Sequence, residues 1–228
     1  MHLNRKAAPT NWPIARKGNK YIVSPASHTY NSISVLLAVR DMLKLATTAA
    51  EVKHLIHNKA LKLNGRVVRD YKESIKLFDI FEADKEYSLS LLTTGKFVLQ
   101  ETKATTRIAK IISRNLLPGN KLQINLHDGT NVIGKKDMNV GDSLVLDFDN
   151  KIKSHKPLEK SAHVFIIGGN FAGQSGIVQS IKGKMITLKI NKEESTLKLD
   201  NLIVQWNLQN KKQFQHIHLQ QILWEKFS

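Results

Sequence analysis

The sequence predicts an α+β protein with an extended N-terminal arm, a module of two helices and a hairpin, a central β-rich domain and a small β-barrel. Between residues 32 and 57, apolar residues recur at three- and four-residue spacing, which is typical of amphipathic helices. From residue 61 onward the apolar spacing changes to two, which is typical of strands. Glycines then interrupt the apolar runs at short intervals, which indicates short strands joined by tight turns.

The composition indicates a basic protein with enough apolar residues to form buried hydrophobic cores. The 228 residues include 35 Lys and Arg against 19 Asp and Glu, which gives a formal net charge of +16, and 41% of them are hydrophobic. Such an excess of cations favours a polyanionic partner, nucleic acid before an anionic membrane. No apolar run approaches the roughly 20 residues that cross a bilayer, so no membrane partner is expected.

Cysteine usage and the N-terminal sequence limit the possible compartments and chemistry. The chain has no cysteine, which excludes disulfides, Cys-ligated zinc and cysteine nucleophiles. The first twenty residues carry cations but lack the apolar segment of a signal peptide. A cytoplasmic protein is therefore expected.

Residues 1–33 predict a basic arm. Prolines and a glycine break this stretch, and no acidic residue occurs before residue 41. We expect the arm to fold on a partner rather than on itself. Trp12 has two interpretations, an anchor in the core or a platform on which a base stacks.

Two helices and a hairpin are expected next. Ser32 or Ser34 is the candidate N-cap of the first helix, and Thr48 with Glu51 forms a capping box for the second. The hairpin signal is Asn64-Gly65 between alternating apolar residues. A turn does not need the four cations around it, and these lie at Lys59, Lys62, Arg66 and Arg69. Cations on the helices and the hairpin could form one basic surface that contacts phosphates.

The remaining chain is predicted to be rich in strands. Strands are expected at residues 75–81 and 87–92, and the segment 96–148 contains further strands with an Asp128-Gly129 turn. The acidic residues Asp142, Asp147 and Asp149 lack the spacing of a calcium loop, so a turn and a solvent-facing strand are expected there.

The glycine-rich stretch "VFIIGGNFAGQSGIVQSI" predicts a bent barrel strand, loop and strand. It is not a nucleotide-binding loop, because no Gly-Lys-Ser/Thr follows the glycines. An open backbone at such a loop could also approach phosphates closely.

Several segments carry a resemblance to known families. "TAAEVKHLIHNKALKLNGRVVRDY" resembles the S-four RNA-binding domain, and "VFIIGGNFAGQSGIV" resembles the KOW motif of ribosomal proteins and elongation factors. With "LNRKAAPTNWPI", "QINLHDGTN" and "VGDSLVLD", their order is similar to the small-subunit ribosomal protein S-four-e family of archaea and eukaryotes, over about residues 2–205. The family's Gly-Pro-His before the first helix is "PASH" here. The expected divisions are the arm 1–33, the S-four domain 34–92, the central domain 93–160, the KOW-type, SH3-like barrel 161–205 and a C-terminal tail or helix 206–228.

The resemblance implies a structural constituent of the small ribosomal subunit that binds and stabilises small-subunit rRNA. It implies neighbouring ribosomal proteins as further partners, a cytoplasmic place on the ribosome, and no catalysis, cofactor or small-molecule substrate. Two other functions stay open. One is an RNA-modifying enzyme that is targeted by the S-four domain, and the other is a KOW-type transcription factor.

Charge and motif position select the expected RNA contacts. These are Arg5, Lys6, Arg16 and Lys17 in the arm, Arg40, Lys44, Lys53, Lys59, Lys62, Arg66 and Arg69 in the helix and hairpin module, and Asn170, Gln174 and Lys182 near the glycine loop. The pairs His54 with His57 and His216 with His218 are expected to face solvent or RNA, because no suitably spaced carboxylate accompanies them. No metal site is expected.

Overall fold

The structure is a computed structural model that describes residues 3–27, 31–190 and 193–205. In these ranges the chain forms mainly antiparallel strands, grouped in three five-stranded sheets and two two-stranded pairs. The predicted richness in strands is confirmed, and the helices of the α+β prediction are short. The predicted tail 206–228 lies outside the described residues.

The N-terminal region packs on the body of the protein. Strand β1 (Leu3–Asn4) pairs with β2 (Tyr21–Ile22) in a small antiparallel ladder. Trp12 is only 2% exposed, and its indole N–H donates a hydrogen bond of 3.0 Å to the carbonyl of Ser32. The expectation of an arm that folds only on a partner is therefore wrong for residues 3–27, because Trp12 anchors the region in the core.

The first helix is short and begins later than its apolar pattern. Residues Ser32–Ser34 form strand β3, and the helix α1 (Val35–Leu37) then passes directly into a π-helical turn at Ala38–Met42. Ser34 is the N-cap, since its hydroxyl accepts the Leu37 N–H at 3.4 Å. The predicted cap is confirmed at Ser34 and not at Ser32.

The second helix, α2 (Ala49–His57), begins at the predicted cap. The Thr48 hydroxyl accepts the Glu51 N–H at 3.3 Å, as in a capping box. The Glu51 carboxylate, however, reaches one residue further back and accepts the Thr47 N–H at 2.7 Å. Val52 is fully buried on the inner face of this helix.

The hairpin belongs to the first five-stranded sheet. Asn64 (φ 51°) and Gly65 (φ 77°) both occupy the left-handed region, which is the conformation of a type I′ turn. The predicted hairpin is confirmed. The strands of this region are β4 Lys62–Leu63, β5 Arg66–Val67, β6 Ser74–Lys76, β7 Ile80–Glu82, β8 Glu86–Leu91 and β9 Phe97–Glu101. Their sheet has the order β5-β4-β7-β8-β9, while β6 pairs with β3.

The single strand expected at residues 75–81 is two strands. Phe78 lies in the left-handed region (φ 64°) between β6 and β7. The Asp79 carboxylate accepts the Lys76 N–H at 2.8 Å, and the Asp79 N–H donates to the Lys76 carbonyl at 3.0 Å. This local turn breaks the strand, and the apolar pattern gave no sign of it.

The second sheet is built around one bent strand. Strand β10 (Thr106–Leu117) pairs through its first half with β13 (Ser143–Asp147) and through its second half with β11 (Lys121–Leu126). A bulge between Ile111 and Ser113 interrupts the ladder with β11 one residue after it begins. The edge strands are β12 Asn131–Gly134 and β14 Ile152–Lys156.

The third sheet contains the glycine-rich loop. Its order is β18-β17-β16-β15-β19, and the loop connects β15 to β16. The strands are β15 His163–Ile166, β16 Ser175–Lys182, β17 Met185–Ile190, β18 Glu193–Lys198 and β19 Leu202–Val204. Its core is formed by alternate apolar residues such as Val164, Ile166 and Leu188, as the period of two requires.

The third sheet packs directly on the first. The rings of Phe165 and Phe78 meet edge to face with 5.5 Å between their centroids. A side chain at Gly173 (φ 82°) would overlap the backbone carbonyl of Leu92, in the turn between β8 and β9. Gly173 is therefore needed for protein packing, and this part of the loop is not an open backbone.

Gly173→Ala is expected to destabilise the fold more than Gly183→Ala. Both positions have positive φ, which costs an alanine about 1–2 kcal/mol. Only Gly173 has a backbone neighbour in the way, whereas nothing lies within 4 Å of the corresponding site at Gly183. The clash should add about 1–3 kcal/mol in chemical unfolding. Equal losses in the two variants would contradict the packing described.

Candidate nucleic-acid interface

An open groove of about 730 Å³ lies between α2 and the hairpin. Its exposed lining is polar and mostly cationic, with Lys53, His57, Lys59, Arg69 and Asp70. Its less exposed lining is apolar, with Ile56, Val67, Val68 and Tyr71. Of the predicted RNA contacts, the groove brings together Lys53, Lys59 and Arg69.

The four cations around the hairpin turn fall into two groups. Lys62 pairs with Glu82 at 3.1 Å, and Arg66 pairs with Glu73 at 2.7 Å. Lys59 and Arg69 form no ion pair with any residue that the structure describes, and both line the groove. The groove therefore receives two of the four cations, and acidic neighbours neutralise the other two.

Glu73 shapes the wall of the groove. Its side chain is 16% exposed, and one carboxylate oxygen accepts the Arg69 N–H at 2.7 Å and the Asp70 N–H at 3.3 Å. The other oxygen holds Arg66. These contacts fix the backbone that carries Arg69 into the groove.

Tyr71 carries two ammonium groups near its ring. The Nζ atom of Lys53 lies 5.0 Å from the ring centroid and that of Lys72 lies 5.6 Å from it. Both distances fit cation–π contacts. The ring thus fixes two flexible lysines beside the groove.

The predicted contacts on the first helix lie outside the groove. Arg40 forms a two-pronged pair with the neighbouring Asp41, with N–O distances of 3.1 and 2.8 Å. Lys44 is exposed beyond the π-helical turn, where its backbone has a φ of 56°.

The predicted contacts in the N-terminal region are of two kinds, one cation bonded within the fold and three exposed cations. Arg5 donates to the carbonyls of Asn19 and Ala15, each at 2.7 Å, and so closes its own loop. Lys6, Arg16 and Lys17 are exposed. Arg5 holds the fold together here, while the other three cations point to solvent.

The predicted contacts near the glycine loop belong to the third sheet. Asn170 is exposed in the loop, Gln174 is half-buried just before β16, and Lys182 is exposed at the end of β16. The backbone of Gln174 is engaged within the loop, since its carbonyl accepts the Ile166 N–H at 2.9 Å. Lys182 is therefore the exposed cation of this group.

Sequence reasoning missed a buried ionic network. Arg107 is 3% exposed and pairs with Asp128 and, at 3.7 Å, with Asp79. The Asn64 amide donates to Asp79 at 2.9 Å, and the Lys76 ammonium donates to the Asp128 carbonyl. We call Asn64, Lys76, Asp79, Arg107 and Asp128 the Arg107 network. It ties the hairpin turn to the second sheet.

Burial and hydrogen bonding shift the pKa of Asp79 in opposite directions. Burial raises the pKa of its carboxyl, while the hydrogen bonds from Asn64 and Lys76 and the charge of Arg107 lower it. A signal for the network was present in the sequence, since Arg107 is in phase with the buried Ala109 and Ile111. A charge at an inward position of a strand indicates a buried partner.

His127 connects the second sheet to the turn between β6 and β7. The Lys110 N–H donates to Nδ1 at 3.1 Å, and Nε2 lies 3.0 Å from the Leu77 carbonyl. A backbone N–H can only donate and a carbonyl can only accept, so the ring is neutral with its proton on Nε2. Burial lowers the pKa of His127 to about 4.

Lys110 connects the second sheet to the third. Its ammonium donates to the Leu199 carbonyl at 2.6 Å, and the residue is 5% exposed. Burial lowers the pKa of Lys110 to about 8, and the charge of Asp200 opposes this shift. This lysine is a structural link and not a surface cation.

Asp142 is not solvent-facing, contrary to the expectation for the acidic run. It is 4% exposed and accepts the N–H groups of Asn139 at 2.8 Å and Leu158 at 2.9 Å. His155 adds a contact of 2.8 Å. The carboxylate marks the expected turn, but it is buried because three donors converge on it.

Two kinds of site are absent from the described residues. No cluster of three or more His, Asp or Glu residues in ranges 3–27, 31–190 and 193–205 could hold a metal ion. In the same ranges, no helix has the length and apolar character needed to cross a bilayer. His216 and His218 lie outside these ranges.

The fold and the groove place the chain among basic, sheet-rich proteins that offer a polyanion an open, cationic surface. Comparison with known proteins gives the family. The family model "Ribosomal family S4e" matches residues 83–152, and the "RS4NT (NUC023) domain" matches residues 1–27. The small ribosomal subunit protein eS4 of Archaeoglobus fulgidus is 35% identical over 189 residues, which cover 80% of each chain.

Two further comparisons point to the same family. The small ribosomal subunit protein eS4 of Methanocella arvoryzae is 32% identical over 189 residues, which cover 79% of this chain and 81% of that one. The crystal structure of the 30S ribosomal protein S4e from Thermoplasma acidophilum matches with a TM-score of 0.68 and 27% identity, over 76% of this chain and 94% of that one. The chain belongs to the ribosomal protein family S4e. The predicted resemblance is confirmed, and the family is one of ribosomal proteins and not of RNA-modifying enzymes.

Arg107→Met is expected to destabilise the protein by about 3–5 kcal/mol, because Asp79 and Asp128 would lose the buried cation that pairs with them. The matched control is Lys85→Met, which breaks the surface pair with Glu101. Its side chains are 57% and 61% exposed, so the loss should stay below about 1 kcal/mol. Urea unfolding of both variants measures the difference. Similar losses would contradict the role of the network.

The stability is expected to fall as the pH is lowered from about 6.5 to about 4, because unfolded His127 then binds a proton that the folded ring refuses. The full effect of this group is about 3 kcal/mol. His127→Gln should flatten this part of the pH profile of unfolding. A variant profile with the same slope as that of the wild-type protein would contradict a neutral, buried His127.

Proposed function

We propose that this protein is a structural constituent of the small ribosomal subunit that binds small-subunit rRNA through the groove between α2 and the hairpin. The observation that carries the proposal is the convergence of Lys53, Lys59 and Arg69 on one open surface of a ribosomal-family chain. Its curated relatives bear the name small ribosomal subunit protein. A net charge of +16 fits a polyanionic partner.

We further propose the division of the chain that its motifs indicate. Residues 34–92 act as an S-four-type RNA-binding domain. Two helical segments followed by a type I′ hairpin support this interpretation. Residues 161–205 act as a KOW-type barrel, supported by five antiparallel strands with a glycine-rich loop. Residues 1–33 and 93–160 form the N-terminal region and the central domain.

The binding mode is mainly electrostatic. Each cation that contacts a phosphate releases counterions, so the affinity falls as salt rises. The cations of the groove have no acidic partner among the described residues, and Lys6, Arg16, Lys17, Lys44 and Lys182 are exposed elsewhere and add further contacts. Arg5, Arg40, Lys62 and Arg66 contribute less, because protein groups already hold them.

We also propose that the protein lies on cytoplasmic ribosomes beside neighbouring small-subunit proteins. The chain carries out no catalytic step there. The predicted partners are thus rRNA and ribosomal proteins, and neither a membrane nor a small-molecule substrate is part of the proposal.

The groove is tested by a triple variant with Lys53, Lys59 and Arg69 each replaced by Gln. The control replaces Lys121, Lys135 and Lys136 by Gln, which removes the same charge from exposed positions on β11 and directly after β12. In binding to small-subunit rRNA, the groove variant should lose about 0.7–0.9 of the salt slope per phosphate contact removed. The control should keep the wild-type slope or lose clearly less of it.

Sucrose-gradient fractionation gives the second readout. Wild-type protein should migrate with small subunits, and the groove variant should shift to the top of the gradient. Equal behaviour of the two triple variants would move the contact surface away from the groove. Uridine isomerisation by the purified protein, or migration with RNA polymerase in place of small subunits, would instead support one of the two alternative functions.

A further inference from the structure

The groove has more apolar lining than phosphate binding needs. Ile56, Val67 and Tyr71 are partly exposed in the middle of a cationic surface. Phosphate oxygens are bound by cations and N–H groups, and apolar side chains add nothing to that contact. The groove is open to solvent, and its volume of about 730 Å³ is large enough to seat a small organic group.

Asp70 also does not fit a site for phosphate alone. It is an exposed carboxylate in the lining of the groove, and a carboxylate repels phosphate. It does accept hydrogen bonds from the exocyclic amino group of a base such as cytosine. One of its oxygens accepts the Lys72 N–H at 3.0 Å, which fixes the side chain beside Tyr71.

The walls of the groove are held in place before any ligand binds. Glu73 accepts the N–H groups of Arg69 and Asp70, and Tyr71 has Lys53 and Lys72 within 5.0 and 5.6 Å of its ring centre. A site whose walls are already ordered loses less conformational entropy on binding. These contacts thus favour a defined ligand over a diffuse surface.

We propose that the groove binds an unpaired nucleotide of the rRNA. The base and ribose lie on Ile56, Val67 and Tyr71, and the flanking phosphates lie on Lys53, Lys59 and Arg69. A paired base is stacked inside its helix and cannot reach an apolar surface, whereas a bulged or looped base can. This proposal rests on the proposed function, namely that the groove binds rRNA.

The test compares two hairpin RNAs that differ only by one unpaired cytosine in the stem. At fixed salt, the full-length wild-type protein should bind the bulged RNA roughly tenfold more tightly, in line with the contribution of one stacked base. Val67→Thr and Tyr71→Leu should each reduce this preference severalfold. Val67→Thr should also leave the salt slope unchanged, whereas Tyr71→Leu removes the ring that holds Lys53 and Lys72. The matched control is Val98→Thr, which makes the same change at a half-buried position of β9 and should keep the preference.

The two proposals fail in different ways. Equal affinity for the bulged and the fully paired RNA, with a salt slope that still depends on Lys53, Lys59 and Arg69, overturns the nucleotide site and leaves rRNA binding at the groove intact. A salt slope that does not depend on those cations overturns rRNA binding at the groove, on which the nucleotide site rests. Two variants of the apolar lining are used so that misfolding of one, seen by circular dichroism, leaves the other to decide.

Discussion

The rest of the structure depends on one interaction, the buried ion pairing of Arg107. A guanidinium taken out of water is tolerated only with close partners, and Arg107 has Asp79 and Asp128. The Asp79 carboxylate in turn accepts a hydrogen bond from the side-chain amide of Asn64, which is the first residue of the Asn64-Gly65 turn. The ionic network therefore holds the hairpin against the second sheet, and the hairpin supplies one wall of the groove.

Other buried polar contacts join the sheets at defined points. His127 bridges the second sheet to Leu77, and Lys110 bridges it to Leu199. The backbone around Gly173 fits against Leu92, so the third sheet has a fixed position on the first. Hydrogen bonds form only at particular distances and angles. These links explain how a chain built of small sheets presents one defined surface.

Features that depend on sequence neighbours could be predicted. The caps at Ser34 and Thr48 and the Asn64-Gly65 turn need only residues within a few positions of each other. Features that depend on distant residues could not. Arg107 and Asp79 are 28 positions apart, and Lys62 meets Glu82 only because β4 pairs with β7. Charge along the chain therefore identified the basic region, but only the fold separated the free cations of the groove from the paired ones.

The central claim is that the groove between α2 and the hairpin faces rRNA. Hydrogen–deuterium exchange of the protein, with and without small-subunit rRNA, tests it most directly. The amides of residues 53–59 and 67–71 should exchange more slowly with RNA bound, while those of the edge strand β12 (Asn131–Gly134) should not change. Protection at 131–134, or at the paired cations Lys62 and Arg66 alone, with none along 53–59 and 67–71, would contradict the claim.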